Sequence, residues 1–149
     1  MTFQSSKNTF DFYNGRDQWL DSIREIPIQA THLFALHWLH LEVHNGEFWQ
    51  YFFNSTCHSM PEAVDGFEAI GMPEVAEIVR SAAAKVGDPF PFVEEERRQL
   101  VGGPFGGSRM EFDELDDRFY ELADTNRLIF RKKPKFVPFA DAYAEISSE

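Results

Sequence analysis

Three histidines, His37, His40 and His44, come closest in type and spacing to a chemical site in this chain. At about 100° per residue they share one narrow stripe of a helix. Imidazoles one turn apart make a good metal pair, and Glu47, Cys57 or His58 could complete a Zn²⁺ tetrahedron after a chain reversal. Leu33 and Leu41 lie on the same stripe, however, and histidines beside leucines more often pack or meet a partner than bind a metal. The expectation is no metal and no cofactor, with these three residues as the ligands if an ion were held.

Other catalytic templates fail. The run GGPFGGSR at 102–109 lacks the lysine of a phosphate loop and follows no strand pattern, and neither G-x-S-x-G nor H-E-x-x-H occurs. Carboxylate pairs are too plentiful to single out a general acid and base. The expectation is a protein that is not an enzyme. Cys57, the only cysteine, has no internal partner and reads as a buried, inert thiol of a reducing compartment.

The carboxylates carry a different chemistry. On a helix over 109–124, Phe112, Leu115, Phe119 and Leu122 fall within about 80° of one another, while Asp113, Glu114, Asp117, Glu121 and Asp124 fill an opposite arc of about 100°. Acids three or four residues apart stand about 5–6 Å from each other at Cβ, a spacing comparable with phosphates along a nucleic-acid strand. Such a row could meet the Lys and Arg of a DNA-binding protein. A charged face opposite an apolar one is also what any surface helix shows. Like charges one turn apart nevertheless weaken a helix by a few tenths of a kcal/mol per pair, and only Arg109 and Arg118 flank the row.

The elements that must position this row follow from punctuation and periodicity. With 149 residues, 43% of them hydrophobic, and 16 Phe, the chain can fill one core, and a single domain over 1–149 is expected, with residues 1–8 disordered. Apolar residues recur at three- and four-residue spacing between proline and glycine stops, so the fold class is all-α, a bundle of about six to eight helices. Helices are predicted over 16–25, 29–44, 48–54, 61–70, 73–86, 94–100 and 109–124, with weaker ones over 128–131 and 138–146. Phe10, Phe12 and Tyr13 should anchor a turn before the first, and the helix over 29–44 should be central and well buried. The net charge of −11, concentrated between Asp88 and Asp124, favours basic partners and repels nucleic acid and anionic membranes. The stretch Arg131, Lys132, Lys133 and Lys135 is too short to reverse that reading. No apolar run of membrane-spanning length and no leader pattern is visible, so the expected location is the cytoplasm.

The segment NGEFWQYFFNS at 45–55 puts rings on every side of one short helix, which must therefore be enclosed. Gln50 and Asn54, four apart, then need hydrogen-bond partners in neighbouring loops. This segment, with EAIG at 68–71 and ELDDRFYEL at 114–122, resembles the DNA-mimic protein family, small acidic helical proteins. Asn45, Gly46, Phe48, Gln50, Tyr51, Phe52, Asn54 and Ser55 match its core motif, which reads as structural. Glu47 departs from it, standing where the family usually has a second glycine. The resemblance covers roughly residues 30–125.

The resemblance implies a helical protein, dimeric in form, whose acidic surface imitates DNA and occupies a basic DNA-binding protein to regulate it. The acidic row is the matching candidate interface. The rival readings are an acidic antitoxin or immunity-type inhibitor of a basic enzyme, and a metal-binding protein using His37, His40 and His44. Family fold transfers more safely than family function.

Overall fold

The computed structural model describes residues 9–103 and 108–123. Among them are six helices, one 3-10 turn and no strand. Helix α1 is Arg16–Ser22, α2 is Ile28–Phe53, α3 is Met60–Ala69, α4 is Pro73–Val86, α5 is Glu94–Val101 and α6 is Asp113–Ala123, with the 3-10 turn Ser55–Ser59 between α2 and α3. The all-α expectation is met. The candidate helices over 128–131 and 138–146, the basic residues Arg131, Lys132, Lys133 and Lys135, and Asp124 lie outside the described residues.

Helix α2 organises the molecule. Its inner side buries Ala35, Leu36, Leu39 and Val43, and against it pack α3, α5, α6 and the 3-10 turn. It is less enclosed than its all-round apolar sequence predicts. His37 and Leu41 are exposed and Leu33, Phe34 and Trp38 are half-buried, because α3 covers only one side. The N-terminal segment shields part of the rest: Phe10 stacks on Phe34 at 3.8 Å, and buried Phe12 lies against Trp19 and Trp38. Tyr13, expected to anchor the same turn, is 66% exposed instead.

Near its C-terminal end α2 kinks. Gly46 (φ −155°, ψ 24°) and Glu47 (φ 67°, ψ −174°) are both non-helical, so the helix is two rods, 28–45 and 48–53, joined at Gly46 and Glu47. A Cβ at residue 46 would stand 2.1 Å from Gln50 Oε1 and 2.7 Å from Gln50 Cβ, so a side chain here would displace Gln50 from its place on the inner side of the bend. The second rod is enclosed as the sequence demands: Phe48, Tyr51 and Phe52 are fully buried, and Phe48 and Phe52 lie against Phe112, with Phe119 on Phe48 and Phe90 of the loop after α4 on Phe52.

Helices α3 and α4 form the expected pair. Gly71 (φ 86°) closes α3 in a Schellman arrangement, with Met72 N–H donating to Phe67 O at 2.8 Å and Gly71 N–H to Glu68 O at 3.1 Å. Pro73 then opens α4 at a position that has no helical N–H partner to lose.

The end of α2 is closed by a residue that composition alone would place on the surface. Arg97 is 0% exposed, and its guanidinium donates to Phe52 O at 2.7 Å, Phe92 O at 3.1 Å, Pro91 O at 3.3 Å and Asn54 O at 3.4 Å. Arg98 adds a bond to Phe53 O at 2.8 Å. Two arginines of α5 thus satisfy carbonyls that a helix C-terminus leaves open, and their charge suits its negative end.

Candidate functional site

The face presented by α6 is built from what its other face must hold. The helix begins after Phe112, which is buried and lies beneath the Lys85 ammonium of α4 at 5.2 Å. Phe119, Tyr120 and Ala123 are buried, as is one carboxylate, Asp116, at 2% exposure. The buried arc is thus turned toward Asp116 and Tyr120 relative to the predicted one, and Leu115 and Leu122 are only half-buried.

Asp116 and Tyr120, one turn apart, grip the kink of α2 from both sides. Asp116 Oδ1 accepts the Phe48 N–H at 2.9 Å, the first amide of the second rod. Tyr120 O–H donates to the Val43 carbonyl at 2.8 Å, the last turn of the first rod. Burial pushes the Asp116 carboxyl up from 3.8 to about 7; the Phe48 amide works against this, while the charges of Glu47, Asp113 and Asp117 add to it. The signal missed in the sequence is that Asp116 sits at the edge of the apolar arc, where a helical wheel that treats every acid as outward-facing gives it no role.

On the other side, Asp113, Glu114, Asp117 and Glu121 are all exposed. Among the described residues none of the four forms an ion pair with a Lys or Arg, although Arg118 is exposed on the same helix. Cations nearby are engaged elsewhere: Arg109 stacks over Trp49 at 4.2 Å and Lys85 bonds the Glu111 carbonyl.

The motif residues at 45–55 are spent on packing and on one polar network. Gln50 and Asn54 do need partners, but these are not in neighbouring loops. Both donate to Glu42, on the first rod across the kink, at 2.7 Å and 3.2 Å, and Thr56 Oγ1 donates to the same carboxylate at 2.9 Å. Ser55 Oγ donates to Glu94 at 3.0 Å, and Asn45 is exposed at the bend. Both amides are committed to Glu42, and an open cavity lined by Trp38, Leu41, Glu42, His44, Asn45 and Gln50 lies beside them.

The histidine stripe does not converge. His37 is exposed, whereas His40 is buried and its ring lies 4.4 Å from that of His44, which packs on Tyr120 at 4.9 Å. Among the described residues no three His, Cys, Asp or Glu side chains group so as to hold a metal ion. Cys57 is buried, and burial pushes its thiol up to about 12, so it stays protonated near neutral pH. Among the described residues no helix is long and apolar enough to cross a membrane.

No curated protein and no solved structure matches this chain. A family model does, that of the DMP19-like proteins, over residues 24–137, a span that holds the kinked helix, its Glu42 network and the acidic helix that grips it. The chain belongs to the DMP19-like family of DNA-mimic proteins.

Proposed function

We propose that this protein is a DNA-mimic binding module that presents Asp113, Glu114, Asp117 and Glu121 to the basic surface of a DNA-binding protein and thereby regulates it. Asp124, the fifth acid of the predicted row, lies outside the described residues. The observation that carries the proposal is the division of α6: one face is fixed against the α2 kink, and the other holds four exposed acids that form no ion pair with a Lys or Arg among the described residues. A charge row of this kind acts at long range and is screened by salt.

The experiment is capture of proteins from a host lysate on the immobilised chain, elution along a salt gradient, and competition with double-stranded DNA. The expected outcome is a DNA-binding protein that DNA displaces. The variant D113N/E114Q/D117N/E121Q should lose it by a factor of 10 or more, about 1.4 kcal/mol, with helicity intact. A captured partner that ignores DNA would instead identify an antitoxin-like inhibitor of a basic enzyme, and unchanged affinity of the variant would remove the row from the interface.

A further inference from the structure

The carboxylates offered to a partner and the carboxyl that holds the kink are neighbours on one helix. Asp116 is buried and bonded to the Phe48 amide, while Asp113 and Asp117 of its own helix and Glu47 of the α2 kink surround it with negative charge. Among the described residues no Lys or Arg is bonded to it. Arg109, from the segment before α6, lies over Trp49, and Lys85, from α4, over Phe112. Ionising Asp116 therefore costs both desolvation and repulsion, and the repulsive share comes from exposed groups that a cationic partner would neutralise.

We propose that docking of a cationic protein surface on the α6 acids is coupled to ionisation of Asp116, whose proton passes to solvent as the complex forms. The coupling rests on the interface proposed above. Lysines or arginines set against Asp113 and Asp117 remove the repulsion that adds to burial in keeping Asp116 protonated, while the Phe48 N–H, already in place, receives the resulting carboxylate. Since Asp116 in the free protein is pushed up to about 7, a fraction of a proton is available for release near neutral pH and nearly a whole one at about pH 6. By linkage, binding strengthens as pH rises from about 6 to about 8.

The test uses a decalysine peptide as the cationic probe and the full chain. Calorimetric titration at about pH 6.5 in two buffers of different ionisation enthalpy counts protons released per peptide bound. The expected result is release of about half a proton or more, falling toward zero at about pH 8.5 and absent in D116N, which keeps the Oδ1 acceptor and still binds the peptide. Release that persists unchanged in D116N, or binding without release in the native chain, overturns the coupling. In the native chain alone, the pH titration of the Phe48 amide resonance should shift its midpoint downward when peptide is added; a midpoint that stays put also overturns it. Equal binding of decalysine by D113N/E114Q/D117N/E121Q sinks the interface itself, and the coupling with it.

Discussion

Glu47 occupies a backbone conformation, φ 67° and ψ −174°, that is almost the preserve of glycine. Such a residue carries about 1–3 kcal/mol of strain, and Glu47 is exposed, so no lost packing offsets the relief a glycine would bring. Glu47→Gly should raise stability by about 1 kcal/mol in urea unfolding, whereas Glu47→Ala should not. At Asp116 the sign runs the other way from an ordinary salt-bridged acid. Its folded-state value is raised from 3.8 to about 7, so the native state holds the proton more tightly and stability falls as pH climbs through that window, the cost being complete above about 7. The buried imidazoles His32 and His58, both pushed down mainly by burial, act in the opposite sense, losing their penalty as pH rises. The difference between native chain and D116N isolates the carboxyl: the variant should gain relative stability steadily from about pH 4 to about pH 7, read as urea midpoints. A flat difference would mean that Asp116 ionises normally.

At the scale of the helix, the same carbonyls and amides that every terminus leaves open decide which residues matter. Arg97 bonds Phe52 O, Asn54 O, Pro91 O and Phe92 O from a fully buried position, so Arg97→Ala strands several acceptors at once. It should cost about 3–5 kcal/mol, and Arg97→Lys, which cannot fork to several carbonyls, should restore only part of that; chemical unfolding of both variants checks the order. Elements were legible where punctuation was local. Pro73 and Gly87 bound α4 as predicted, and the break expected between 44 and 48 is present, with its positive φ on Glu47 and not on Gly46. Periodicity was a weaker guide at the ends: α1 stops at Ser22 and α6 begins at Asp113, after Met110 N–H has bonded the Val101 carbonyl. Glu42, Arg97 and Asp116 were not legible at all. Each is a charged residue held inside by at least one partner 14 to 68 positions away in the chain, and helical periodicity, which relates residues one or two turns apart, does not reach that far.

For the whole molecule, the excess of acids sets opposite demands on folding and on binding. A net charge of −11 opposes compaction, and salt screens it. The melting temperature should therefore rise as salt is raised from low concentration to about 0.5 M, while affinity for a basic partner falls over the same range. Parallel melting and binding series in the same buffers test the pair; a melting temperature indifferent to salt would show that the acids do not strain the fold. The exposed row Asp113, Glu114, Asp117 and Glu121 was visible in the sequence because it needs only one helix and one apolar face. Its anchorage on the kink was not, since that depends on how two segments about 70 residues apart meet.

The grip on the aromatic rod 48–53 also has a consequence in time. The rod is too short to hold helical form alone. Its first amide is held by Asp116 and its last carbonyls by Arg97 and Arg98, all made after it. At about 5–20 residues per second, a ribosome needs about 2–9 s to pass from Phe52 to Arg97, and longer to reach Asp116. Throughout that interval Phe48, Tyr51 and Phe52 are without their final cover, so the newborn chain is most in need of a chaperone between those two points of synthesis.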